Sequence, residues 1–162
     1  MAIREIVIQG DPVLSKKCHP VTKFDGKLAD LLDDMKQTLA KANGLGLAAP
    51  QVGILRRAVI VVNEEGEMLE LVNPEILETK GEIEGLEGCL SVPGKYGMVK
   101  RPMQVTVKFQ DRHGEWHERT AEGFTARAFC HEIDHLDGVI YVDKMEREIF
   151  PDDEEYGEEE EE

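Results

Sequence analysis

The 162-residue sequence has no basic stripe, no apolar run approaching a membrane span, and few aromatics, at 6%. A nucleic-acid binding face needs clustered Lys and Arg, so direct contact with nucleic acid is not expected. A spanning helix needs roughly 20 apolar residues, so no membrane segment is expected. The start, Met1-Ala2-Ile3-Arg4-Glu5, has no basic segment followed by an apolar one, which argues against a signal or transit peptide. Cysteine is also scarce. Cys18, Cys89 and Cys130 are odd in number and widely spaced, which excludes a disulfide framework and points to the reducing cytoplasm. At least one thiol is then available for chemistry.

The net charge of −15 looks extreme, but nine of the acids fall between Asp152 and Glu162, leaving about −6 for the rest. Residues 151–162 hold too little apolar surface to order themselves and read as a disordered acidic tail. Residues 1–150 are long enough for one domain with a real core. Hydrophobic content of 41% suits a soluble α+β protein.

Along the chain, Asp11-Pro12 opens a turn or short helix, with Asp capping and Pro at the first helical position. From the N-cap Asp25, Leu28, Leu31, Leu32, Met35 and Leu39 recur at helical spacing up to Asn43-Gly44. The acids Asp30, Asp33 and Asp34 fall largely off that stripe and read as solvated. Gly44-Leu45-Gly46-Leu47-Ala48-Ala49 fits a dinucleotide fingerprint in letters only: a helix precedes it, Pro50 blocks a helix after it, and the required order is reversed. The glycines instead let another backbone approach closely.

Ala58 to Val62 reads as a buried strand. Met68–Val72 and Ile76–Thr79 read as two hairpin-like strands separated by Asn73-Pro74, with a turn over Lys80–Gly85. Val105–Phe109 and Trp116–Thr120 form an antiparallel pair around Asp111-Arg112-His113-Gly114, with His113 and His117 on the surface. Val139–Val142 reads as a short strand, and a weak helix starts at Asp143 and stops at Pro151.

The sharpest signal is His131-Glu132-Ile133-Asp134-His135. At about 100° per residue, the two histidines stand one helical turn apart on one face and can converge on an ion, with Glu132 beside it as a general base. Gly138 follows as the helix C′ residue. A catalytic zinc-type site needs a third protein ligand and an open position. Tyr141 stands where a metzincin would carry its third histidine, and the glutamates near Glu154 have no scaffold to hold them. Cys89, between Gly88 and Leu90 at a sharp bend, is the preferred third ligand. Cys130 is rotated about 100° from His131 and points to the core. Cys18 stays open: joined to the other three it would close the ion into a structural site. A zinc peptidase on the same helix and a structural-zinc interaction module are the competing readings. Glu87, beside the ligand loop, is expected to pair with Arg101 in a clamp that orients Cys89.

Three segments together carry a resemblance: Gly44-Leu45-Gly46-Leu47-Ala48-Ala49-Pro50-Gln51, Glu87-Gly88-Cys89-Leu90-Ser91, and His131-Glu132-Ile133-Asp134-His135. In order and spacing they are similar to the three motifs of bacterial peptide deformylases, with the likeness running from about Ile3 to Asp143. The resemblance implies a single α+β domain of antiparallel sheets around a central helix that carries the two histidines. It implies hydrolysis of the formyl group from N-formylmethionyl nascent chains by a monomer, usually with Fe²⁺, for which Zn²⁺, Ni²⁺ or Co²⁺ can substitute. By motif, Cys89, His131 and His135 would hold the metal and Glu132 would be the acid/base acting on metal-bound water. Gln51 and the Leu90 N–H would meet the formyl oxygen. Gly44, Leu45, Gly46, Gly88, Phe124, Arg127 and Ala128 would border the substrate, with Arg127, a polar side chain in an apolar pocket, snorkelling at the rim.

Overall fold

The computed structural model describes residues 2–150. Its elements are α1 (Gly26–Ala42), β1 (Gly46–Ala48), β2 (Ala58–Val62), β3 (Met68–Lys80), β4 (Ile83–Cys89), β5 (Val92–Arg101), β6 (Gln104–Gln110), β7 (Trp116–Glu122), α2 (Gly123–Leu136) and β8 (Arg147–Ile149). They form an antiparallel five-stranded sheet in the order β1-β2-β3-β6-β7 and a three-stranded one in the order β4-β5-β8.

The apolar run of β2 explains the layering. Side chains alternate faces along a strand. Val59 and Val61 join the cluster built on Phe129, Ile133 and Leu136 of α2. Ala58 and Ile60 join Leu28, Leu31, Leu32, Met35 and Leu39 of α1 on the opposite face. A strand covered by a helix on both sides must be apolar throughout, even in an antiparallel sheet. The helix α2 thus lies on the five-stranded sheet, and its other side meets β4 and β5 through the polar contacts of the site. The expected α+β architecture with a central histidine-bearing helix is the observed one.

Both helices end as their residues dictate. The Asp25 carboxylate accepts the Leu28 N–H at the start of α1, and Asn43 takes a left-handed conformation, φ 55°, at its end. At the end of α2 the Gly138 N–H reaches His135 O and the Val139 N–H reaches Asp134 O. That is the paired closure of a Schellman cap, with Gly138 at φ 77°. The Pro12–Ser15 turn is capped by Asp11 as expected.

Several local expectations are corrected. Asn73-Pro74 does not separate two strands; β3 runs through it, with a register shift between Val72 and Glu75. A bulge tolerates Pro, and Asn73 accepts φ 50° while its side chain bonds Val21 and Gln110. The expected turn over residues 80–85 is shorter, because β4 begins at Ile83 and pairs with β5. Val139–Val142 is not a strand; the chain there enters a 3₁₀ turn, Tyr141–Asp143. In place of a helix after Asp143, β8 forms by pairing with β5. Asp34 is buried rather than solvated, because the N-terminal segment lies over it: Arg4 pairs with it at 2.8 Å and Ala2 N–H donates to it. The expected tail, 151–162, and the stop at Pro151 lie outside the described residues.

Candidate active site

Three chain segments converge beside α2. Cys89 closes β4, just after a register shift at Gly88, and its sulfur lies 3.4 Å from His135 Nε2. His131 and His135 stand edge to face with ring centroids 5.2 Å apart. The ligand atoms of Cys89, His131 and His135 all lie within 4.8 Å of one another. Cys18 is outside that group. It is buried, with its N–H on Leu136 O and its thiol pushed up to about 11 by burial. Cys130 is buried in the apolar cluster between α2 and the five-stranded sheet.

Gln51 comes from the 3₁₀ turn Ala49–Val52 that follows β1. Its Oε1 accepts the Ala48 N–H at 2.9 Å, and its Nε2 donates to Ser91 Oγ at 3.1 Å and lies 3.4 Å from the Cys89 sulfur. The amide is therefore held from both ends before any ligand arrives.

Glu132 is buried and its Oε1 has no hydrogen-bond partner among the described residues. Burial pushes its pKa up to about 7, with Glu87 and Asp134 reinforcing the rise and His131 and Arg101 opposing it. The carboxyl thus sits where it can take and return a proton near neutrality. A Cβ on Gly46 would overlap this carboxylate. Gly46 is bare to make room for Glu132, and Gly44 for the Leu90 and Leu39 side chains, 2.7 and 2.8 Å from a Cβ placed there. The glycine pattern suggested a close approach but not by what.

The second carboxylate, Glu87, behaves in the opposite way. Arg101 grips it with Nε at 2.8 Å and Nη2 at 2.9 Å, Arg127 Nη1 donates at 2.7 Å, and His131 Nδ1 lies at 2.8 Å. Burial alone would raise its pKa, but the hydrogen bonds from Arg101 and His131 outweigh it and hold the carboxyl well below its ordinary range. The expected Arg101 clamp exists, yet it points Glu87 at the His131 ring rather than at Cys89. A carboxylate on Nδ1 fixes the ring so that Nε2 faces the sulfur side. Burial disfavours charge on His131, while Glu132, Cys89 and Glu87 more than offset this and raise its pKa well above the usual value. Burial and the neighbouring His131 lower His135 to about 3.

Arg127 does not snorkel at a rim. Its guanidinium turns inward, donating to Glu87, to Val99 O at 2.9 Å and to Ile83 O at 3.0 Å. It lies over Gly85, where a Cβ would come within 2.6 Å of Nη2. Tyr141, which in sequence served only to dismiss a third histidine, stacks on His131 at 5.9 Å and donates its hydroxyl to Lys95 O. Ser91 and Asp134, which holds Arg101 Nη1 at 2.6 Å, were likewise missed as parts of the site. Their motif neighbours were the only signal that could have found them.

The whole opens into a cleft of about 600 Å³. Gly44, Leu45 and Gly46 line one wall, Gly88, Cys89 and Leu90 another, and Phe124, Arg127 and Ala128 the helix side. Leu45 and Phe124 are half exposed at its mouth.

The donor set fits a divalent ion. One sulfur and two imidazole nitrogens converge, no fourth His, Cys, Asp or Glu joins them among the described residues, and an unpartnered buried carboxylate oxygen stands beside them. That is the composition of an open, catalytic site rather than a closed structural one.

The family described as "Polypeptide deformylase" matches residues 3–149. The chain is 56% identical over 147 residues to a "Peptide deformylase" of Caldicellulosiruptor bescii, covering 91% of this chain and 88% of that one. It is 52% identical to one from Lachnoclostridium phytofermentans, in a match that covers 100% of each chain. The crystal structure of peptide deformylase from Thermotoga maritima superposes with a TM-score of 0.86 at 41% identity, covering 90% of this chain and 99% of that one. With a match this long in sequence and in fold, the chain belongs to the polypeptide deformylase family.

Proposed function

We propose that this chain hydrolyses the formyl group from N-formylmethionyl ends of newly made polypeptides, giving formate and a free amine. In this reading Cys89, His131 and His135 hold the metal, Glu132 is the acid/base, and Gln51 and the Leu90 N–H receive the formyl oxygen. The single observation that carries it is the meeting of the Cys89 sulfur with both ring nitrogens inside 4.8 Å, at the base of a peptide-sized cleft.

A divalent ion held by Cys89, His131 and His135 would supply Lewis acidity at the formyl group. The remaining work falls to the chain's own groups. Glu132 takes a proton from the attacking water and returns it to the departing amine nitrogen. The Gln51 amide, held at both ends, and the Leu90 N–H stabilise charge building on the formyl oxygen. Each such donor is typically worth about 3 kcal/mol. Glu87 keeps His131 in the tautomer a metal requires. Gly44, Leu45 and Gly46 pass close to the substrate backbone, which lies along them as an added strand. The methionine side chain enters between Phe124, Ala128 and the stem of Arg127, with Gly88 at its edge.

A thiolate with two imidazoles suits Fe²⁺ and accepts Zn²⁺, Ni²⁺ or Co²⁺. We assign Fe²⁺ as the native ion on the family likeness. Residues 1–150 form the catalytic unit, acting as a monomer in the cytoplasm on nascent chains, with no direct contact to nucleic acid. No helix among the described residues is long and apolar enough to cross a membrane.

The test is formate release from formyl-Met-Ala-Ser by protein purified without oxygen, with bound metal measured in the same sample. Release in proportion to bound Fe²⁺ is expected. Cleavage of internal peptide bonds in place of the formamide would overturn the assignment.

A further inference from the structure

Arg127 lines the cleft, and its side chain is 11% exposed. A guanidinium carries N–H donors on all three of its nitrogens. Nη1 spends its pair on Glu87 and Val99 O, and Nη2 spends one N–H on Ile83 O. The Nε–H and the second Nη2 N–H have no acceptor among the described residues. The guanidinium itself is fixed: two strand carbonyls and a carboxylate hold it over Gly85. Donors set in place before a ligand arrives bind it with little further ordering cost.

Arg127 is one of the residues lining the wall where the first side chain of the substrate is placed, with the apolar Phe124 and Ala128. A thioether sulfur is a weak acceptor and leaves the open Arg127 donors unmet. Oxidation of methionine to its sulfoxide adds a strongly polar oxygen at almost the same reach along the side chain. An apolar pocket would reject that group, because it loses its water without gaining a partner. A positioned guanidinium reverses the outcome, since a hydrogen bond from a cation is roughly twice as strong as a neutral one.

Resting on the deformylase reading, we propose that Arg127 is a specificity-determining residue that lets the pocket take N-formyl-methionine sulfoxide as well as N-formyl-methionine. The sulfoxide oxygen accepts from the N–H groups of Arg127 that no atom of the described residues uses. The chemistry at the formyl carbon is unchanged, so oxidised amino termini are deformylated by the same water, base and oxyanion donors.

The experiment compares formyl-Met-Ala-Ser, its methionine sulfoxide form and formyl-norleucyl-Ala-Ser on metal-loaded wild type, Arg127→Met and Arg127→Lys. Wild type is expected to hydrolyse the sulfoxide peptide within about tenfold of the methionine peptide in kcat/KM. In Arg127→Met the ratio of sulfoxide to methionine should fall by about a further tenfold, the size of one lost hydrogen bond, and the change should lie in KM. Arg127→Lys should keep part of the ratio. The norleucine to methionine ratio should stay the same in all three proteins.

Exclusion of the sulfoxide peptide by wild type, by more than about 100 fold, would overturn the proposal, and this reading needs no variant to fold. An unchanged ratio in Arg127→Met would overturn it too. Equal losses on all three peptides would do the same, because they would assign Arg127 to bracing β4 and β5 alone. If wild type hydrolyses none of the peptides, the deformylase reading itself fails; hydrolysis of the methionine peptide without the sulfoxide one removes only the role of Arg127.

Discussion

Two arginines in this molecule each bridge a pair of carboxylates and each tie a helix to a strand. Arg101 joins Glu87 of β4 to Asp134 of α2; Arg112 joins Glu70 of β3 to Asp33 of α1. In chemistry the two clusters are nearly the same. In surroundings they differ: the Arg101 and Glu87 side chains are 3% and 4% exposed, those of Arg112 and Glu70 26% and 14%. The buried cluster ends on the His131 ring, while the outer one ends on Lys36, which meets Glu70 at 2.6 Å. Identical pairings therefore do different work, because water screens one and not the other. The inner cluster holds the His131 ring in place, and the outer one braces a helix.

The largest effect is expected from a change that touches neither arginine cluster and so isolates chemistry from bracing. Glu132→Gln should lower kcat for formyl-Met-Ala-Ser by about 10² to 10⁴ fold while metal content, read by elemental analysis, stays at the wild-type level. Removing the inner carboxylate comes next. Glu87→Ala leaves the buried Arg101 and the part-buried Arg127 without their shared carboxylate and frees the His131 ring. Stability in denaturant titration should fall by about 3 to 5 kcal/mol, and metal affinity by about 10 to 100 fold.

The two glutamates at the site should also respond to pH with opposite signs. The Glu87 pKa is depressed on folding, so its contribution is present at neutral pH and is lost as acid takes the pH down through its folded pKa. The Glu132 pKa is raised to about 7, so its favourable contribution is complete below its ordinary value of 4.5 and is lost as the pH rises through 7. Metal-free Glu132→Gln should accordingly gain stability over metal-free wild type at about pH 8 and show little gain at about pH 4, as read by thermal melting; equal differences at both pH values would contradict the buried, protonatable assignment. The smallest effect belongs to the outer cluster. Arg112→Ala should cost under about 1 kcal/mol, and the deformylation rate should not change. A loss of activity there would erase the contrast.

Periodicity made α1 legible from Leu28 to Leu39, and the alternation of Val105, Val107 and Phe109 made the β6-β7 hairpin legible. The β4-β5 ribbon was harder to read. Glycine and glutamate fill β4, Ile83-Glu84-Gly85-Leu86-Glu87-Gly88-Cys89, because its glycines make room for the Arg127 guanidinium and the Tyr96 ring, and its glutamates serve Arg147 and the site. Function had displaced the usual strand residues, so local propensity pointed to a turn. The strand β8 was unreadable for a different reason: three residues hold no pattern, and only the edge of β5 makes them a strand. Asp34 looked solvated because the residues that cover it, Ala2 and Arg4, are some thirty positions away.

By itself the sequence determined which atoms could meet a metal: two histidines a helical turn apart and a thiol in a glycine-flanked bend, since spacing along a helix is local geometry. It also carried the proposed base, Glu132, on the same turn. Only the tertiary structure decided what surrounds those atoms. The pairing of Glu87 with His131, the inward turn of Arg127 and the bare backbone of Gly46 beneath Glu132 all depend on distances between residues far apart in the chain. Charge and burial are properties of such neighbourhoods, and no linear pattern encodes them.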